Sequence, residues 1–261
     1  MTAGKPLGIQ LYSVRDDIGP ADLDGTLARL AALGFTHAEP YDILTDTDRL
    51  GAALRNAGLR ATTAHASVVR HDETAVLDAA EALGIGTVIT PYVDPATIAD
   101  RAGVERLAAT LNGAAERAAG RGIRIGYHNH DFEFAQQVDR TAGVAGVAGA
   151  AGVSAYESLV SLLDPAVVLE VDVYWAGVGG ADVFELLPRL GDRVRFLHVV
   201  HEREPGNDRP VLGVDTAGRM AEVLALAPAV ELPVVEVVAH HSDVWPLVER
   251  NAAYFLERVN A

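Results

Sequence analysis

The sequence predicts an α/β barrel of eight strand–helix units, (β/α)8, closed as a single domain over residues 1–261. Three observations predict it. Short β-branched runs alternate strictly with longer, amphipathic, Ala/Leu-rich stretches, which implies parallel βαβ units. The alternation recurs eight times in 261 residues, close to the ~250 residues that such a barrel takes. Polar residues inside the apolar strand runs fall late in each run, at the end of the barrel where this architecture carries its chemistry.

The elements follow in order. A strand at 7–12 leads to a helix over 22–33, where Leu23, Leu27 and Leu30 recur at helical spacing and Gly34 stops the run. A strand at 36–40 precedes a helix at 46–57 ended by Gly58, and a strand at 60–66 precedes a helix at 72–83 ended by Gly84. The fourth unit is a strand at 87–92 and a helix from about 104 to 119. The fifth strand is 124–130; the glycines of 136–152 weaken a helix there, so that stretch reads as a long insertion, with a helix resuming at 154–163. The sixth unit pairs a strand at 167–173 with a helix at 182–190. The seventh strand is 194–200, followed by a polar loop at 202–213 and a helix at 216–227. The eighth strand is 233–238 and the last helix 242–259.

Composition excludes several classes. At 49% hydrophobic and 22% charged residues the chain can bury a sizeable core. It has no cysteine, which removes a disulfide scaffold, a thiolate metal site and a cysteine nucleophile together. Its net charge of −15 opposes nucleic acid and anionic membranes as partners. No apolar run is long enough to span a bilayer and the first residues lack an apolar leader, so the expected location is cytoplasmic. Neither a dinucleotide fingerprint nor a P-loop occurs, which argues against a nucleotide cofactor.

The informative residues are the ionisable ones near strand ends: Glu39; His65; His128, His130 and Glu133; Glu170 and Asp172; His198 and His201; and Glu236, with His240 and His241 just beyond. A charge within an apolar strand costs several kcal/mol to bury unless it is paired or binds a metal. Any one of these could be a structural ion pair. Glu170, Asp172, His198 and Glu236, however, lie in three consecutive strands that a closed barrel brings together. Strand parity puts Glu170 and Asp172 on one face, with only Asp172 nearer the active end. Two carboxylates and an imidazole therefore converge there and suit a divalent cation (Mn2+, Mg2+, Co2+ or Zn2+), with a fourth ligand from His128, His130 or Glu133. His37 and His71 read as surface residues, and Trp175 and Phe134 as sugar-facing or packing aromatics.

The opening Gln10-Leu11-Tyr12-Ser13-Val14-Arg15-Asp16, the run Tyr127-His128-Asn129-His130-Asp131-Phe132-Glu133-Phe134 and the run Glu170-Val171-Asp172-Val173-Tyr174-Trp175-Ala176 resemble the sugar phosphate isomerase/epimerase proteins with a xylose-isomerase-like TIM barrel. The resemblance covers nearly the whole chain. It implies a metal bound by Glu133, Asp172, His198 and Glu236, with His128 competing with Glu133 for the place on the fifth strand. It implies proton transfer at a carbon next to the carbonyl of a keto-sugar or cyclitol, through a metal-stabilised enediolate. Isomerase or epimerase chemistry is the first expectation; an inosose-type dehydratase and a non-catalytic sugar-binding barrel are the alternatives. His128, His130, Glu133 and Glu236 would handle protons, and Glu39, His65, Trp175 and His201 would contact the sugar. The partner is a small molecule, with homo-oligomerisation left open. The sequence departs from the family where relatives carry His-x-Lys-Asp: it reads His198-Val199-Val200-His201. Lys5 is the sole lysine, which favours an unphosphorylated substrate.

Overall fold

The computed structural model describes residues 6–18, 22–139, 153–200, 216–237 and 243–259. Eight parallel strands form the barrel: β1 (Gly8–Gln10), β2 (His37–Glu39), β3 (Thr63–His65), β4 (Thr87–Thr90), β5 (Arg124–His128), β8 (Val168–Asp172), β9 (Val194–Val199) and β10 (Leu232–Val235). The remaining strands, β6 (Gln137–Asp139) and β7 (Val153–Ser154), pair antiparallel within the insertion after β5. The sheet order is β2-β1-β10-β9-β8-β5-β4-β3, a nearly closed ring. Between β2 and β3 the ladder thins to one bridge, His37 with Arg60. Backbone bonds from Ala38 N to Arg60 O (2.9 Å), Arg60 N to Thr36 O (3.1 Å) and His65 N to Pro40 O (2.8 Å) stitch that seam.

The helices are α1 (Leu23–Ala32), α2 (Thr47–Ala57), α3 (Glu73–Leu83), α4 (Arg101–Ala119), α6 (Ala155–Leu162), α8 (Val183–Leu190), α9 (Thr216–Leu226) and α10 (Trp245–Val259), with the short α5 (Phe132–Ala135) and α7 (Val173–Val178) packed directly after barrel strands. Their starts are written into the sequence: Asp46, Asp72, Asp100 and Asp182 each accept a hydrogen bond from a first-turn backbone N–H. Gly58 and Gly84 end α2 and α3 at φ 70° and 71°, a conformation that costs glycine nothing. No described helix is long and apolar enough to cross a membrane.

Strand parity divides the core. One set of strand residues, including Val88, Ile125, Tyr127, Leu169, Val171, Leu197 and Val235, packs with the helices. The opposite set, Ile89, Val168, Phe196, Leu232 and Val234, forms a separate apolar cluster from four strands, filling the barrel as a plug. Gly126 belongs to this inner set. A Cβ there would sit 3.1 Å from Ile89 Cγ1 and 3.2 Å from Val168 Cγ2, tighter than ordinary contact, so the plug would have to give by a few tenths of an ångström to take a side chain. His37 corrects its surface reading: it is 4% exposed. Its strand is sandwiched between β1 and the seam, its Nδ1 lies 2.9 Å from Thr36 Oγ1, and burial and then Arg60 push its pKa down to about 4. His71 is exposed, as read.

Candidate functional site

Directly above the plug the barrel turns polar. Glu39 ends β2, His65 ends β3, His128 ends β5 and Asp172 ends β8; His198 is next to last in β9, and Glu236 follows β10. Register levels them: His128 stands beside Glu170, Asp172 beside His198, and His198 beside Val234, just before Glu236. Along β8, Val168 belongs to the plug while Glu170 and Asp172 rise above it on the same face. None of the seven exceeds 9% exposure.

Their side chains form one network. Glu39 Oε1 lies 2.8 Å from Gln10 Nε2, 2.8 Å from His198 Nε2 and 3.2 Å from His65 Nε2. Glu170 Oε2 lies 2.7 Å from His65 Nε2 and 3.2 Å from both His198 Nε2 and His128 Nδ1. On the opposite edge of the ring, His198 Nδ1 is 2.9 Å from Glu236 Oε2. Asp172 is fixed through its backbone: Asn129 Nδ2 donates to its carbonyl and Asn129 Oδ1 accepts from its N–H, both at 3.1 Å. Its carboxylate Oδ1 accepts from Trp175 N at 2.7 Å, capping α7.

Burial sets the electrostatics, and the neighbours then divide the groups. Burial alone would discharge His65 and His198, but Glu39 with Glu170 raises the first and Glu170 with Glu236 raises the second well above an ordinary histidine. Burial and His198 lower His128 to about 3, and burial takes His130 to about 4, so both rings are neutral at pH 7. Asp172 is raised to about 7 by burial and by the charge of Glu236. Glu236 and Glu170 are held low against burial, chiefly by His198.

Two overlapping groups can hold a metal ion: His65, His128, Glu170 and His198 lower down, and His128, Asp172, His198 and Glu236 toward the mouth, each with ligand atoms within 4.8 Å of one another. A divalent cation fits this donor set. Glu39 Oε2 and Glu170 Oε1 are buried without a hydrogen-bond partner, a costly arrangement that a cation relieves. All ligand atoms are imidazole nitrogens or carboxylate oxygens, the set that suits Mn, Co and Zn.

The residues expected from the sequence are placed as follows. His128, Asp172, His198 and Glu236 come together. Glu133 does not join them: it lies in the first turn of α5, where it accepts from Tyr127 Oη and His130 N, both at 2.9 Å. His130 lies past the end of β5, its ring 5.1 Å from that of His128. Glu39 and His65 stand inside the lower network, and Trp175 lies beside His130, ring centroids 6.1 Å apart. His201, His240 and His241 lie outside the described residues. Gln10, Asn129 and Glu170 were not assigned roles from the sequence, although Glu170 carried the signal of a charge in an apolar strand.

Above the network opens a cavity of about 370 Å3 lined by Tyr12, Tyr41, His65, Pro91, Tyr92, His128, His130 and Glu236.

Solved structures share this architecture over nearly the full chain. A sugar phosphate isomerase/epimerase from Parabacteroides distasonis is 23% identical, with a TM-score of 0.80 over 98% of this chain and 97% of that one. A D-allulose 3-epimerase from Methylomonas sp. is 17% identical, with a TM-score of 0.68 over 98% of both chains. A 3-keto-D-glucoside 4-epimerase from E. coli is 15% identical, with a TM-score of 0.64 over 97% of this chain and 99% of that one. No curated protein matches the sequence. The sequence profile of one family matches residues 27–222, three quarters of the length and every barrel strand from β2 to β9. The chain belongs to the xylose isomerase-like TIM-barrel family.

Proposed function

We propose that this protein is a divalent-metal-dependent sugar isomerase or epimerase that moves a proton at the carbon beside a sugar or cyclitol carbonyl. The observation that carries this reading is the convergence of His128, Asp172, His198 and Glu236 at the floor of a sugar-sized cavity. The structural relatives whose names specify sugar epimerases support it. In this reading His128 takes the fourth ligand position in place of Glu133, whose oxygens are engaged elsewhere. A divalent ion held there polarises neighbouring carbonyl and hydroxyl oxygens and stabilises the charge that develops as the carbon loses its proton.

The chain supplies the proton carrier and the dry surroundings. His130 lines the cavity, belongs to neither converging group, is neutral at pH 7 and has a buried Nδ1 without a partner. It takes the proton and returns it on the same face to the adjacent carbon, which is isomerisation; return to the opposite face, which is epimerisation, takes a second donor across the sugar. Glu133 holds the turn that carries it, through the bond to His130 N. No lysine or arginine lines the cavity among the described residues, so the substrate is uncharged. The test is metal content and turnover together: purified wild type should carry about one divalent ion and wash deuterium from D2O into a keto-sugar of a screened panel. A folded Asp172→Ala protein with undiminished metal would refute the ligand set.

A further inference from the structure

The mouth of the cavity differs chemically from its floor. Tyr12, Tyr41 and Tyr92, at 40%, 37% and 38% exposure, are among the few large hydrophobic side chains left in solvent within the described residues, and all three line this cavity. They come from the loops after β1, β2 and β4 and stand in two walls. In one wall Tyr12 and Tyr41 meet edge to face at 5.4 Å between ring centroids. The Arg15 guanidinium lies 4.3 Å from the Tyr12 ring, and its Nη1 donates to Tyr12 O at 2.8 Å, which fixes the ring's position. In the other wall Tyr92, next to Pro91, packs edge-on against His130 (5.5 Å) and Phe132 (5.6 Å). Exposed aromatic faces this close to a polar floor are costly to leave wet, and large apolar surface at a mouth marks a ligand or partner site.

The floor already accounts for one polar ring: His65, His128, His130 and Glu236 present only nitrogen and carboxylate atoms. We propose that the tyrosine walls form a second subsite that grips an uncharged ring attached to the reacting sugar, so that the ligand is a glycoside rather than a free monosaccharide. This rests on the sugar-enzyme reading above and adds the class of substrate to it. The occupant is uncharged because no lysine or arginine lines the cavity among the described residues and Arg15 already donates to Tyr12 O. It has a flat or apolar face because the walls offer rings. An aryl aglycone and the apolar face of a second pyranose share that chemistry.

The test is binding, independent of turnover. Matched methyl and phenyl β-glycosides of glucose, galactose and xylose, with cellobiose as the two-sugar arm, are titrated into the metal-loaded protein by calorimetry. At least one phenyl glycoside or cellobiose should bind about tenfold more tightly than its methyl partner, a difference of ~1.4 kcal/mol. The double variant Tyr12→Ala/Tyr92→Ala, checked for folding by circular dichroism, should bring that ligand down to the affinity of the methyl glycoside. A phenyl preference without a cellobiose preference assigns the subsite to an aryl group, and the reverse assigns it to a sugar. Equal affinities across every pair, no binding of any probe, or a preference that survives the double variant overturns the proposal. Retained preference without turnover counts against the reaction assigned above and not against the subsite.

Discussion

Glu133 offers a stability experiment that isolates one buried carboxyl group. Its side chain is fully buried and accepts from Tyr127 Oη and His130 N. Burial raises its pKa to about 7 from 4.5, against the pull of its own backbone N–H and of those two donors. The folded state therefore binds this proton more tightly than the unfolded chain does. The sign follows: the stabilisation is fully present below pH 4.5 and is lost as pH rises through about 7. The gap, at ~1.4 kcal/mol per pH unit, comes to about 3 kcal/mol. Glu133→Gln keeps the shape and cannot ionise. It loses one acceptor, which costs about 1–3 kcal/mol, but that cost does not vary with pH. Urea unfolding of chelator-treated wild type and Glu133→Gln between pH 4.5 and 8 should show the wild-type curve falling relative to the variant by about 3 kcal/mol. Parallel curves would refute the reasoning, because Glu133 would then be ionised throughout at no cost.

Two further outcomes follow from packing and charge. Phe196 is 1% exposed at the centre of the plug, so Phe196→Ala should lower unfolding free energy by about 3–5 kcal/mol, read from chemical denaturation. At the opposite end of the barrel Glu231 receives Arg124 Nη1 at 2.7 Å and Arg195 Nε at 2.8 Å, which hold its pKa at about 2. The cluster is about a third exposed, so Glu231→Gln should cost only about 1 kcal/mol. Because the folded pKa is depressed, that difference should be complete above pH 4.5 and vanish as pH falls through 2, a trend acid titration of Tm can check.

The barrel and most of its site were legible because strand chemistry is unforgiving. Glu170, Asp172, His198 and Glu236 stand out as charges in β-branched runs, and parity already places Glu170 and Asp172 on one face, with Asp172 nearer the active end. Helix starts were equally plain at Asp46, Asp72 and Asp182, where a capping carboxylate precedes the periodic run. Legibility failed where the chain leaves a strand. Strand alternation stops at His128; from there the backbone turns into α5, so counting along the strand cannot say where Glu133 points. The helices α5 and α7, at four and six residues, are too short to print a periodicity. His37 misled because a lone histidine at a strand start carries no mark of which neighbours will cover it. The tyrosine walls escaped because each ring comes from a different loop and meets the others only once the barrel is closed.

The sparse stitching between β2 and β3 leaves the barrel a split ring rather than a hoop. Glu39 and His65 are the last residues of the two strands that flank the split, and their side chains reach across it at 3.2 Å. The clasp that shuts the ring is thus made of the same groups that furnish its chemistry. Whatever binds among them also tightens the hoop, and whatever empties the site loosens the scaffold at its weakest circumference.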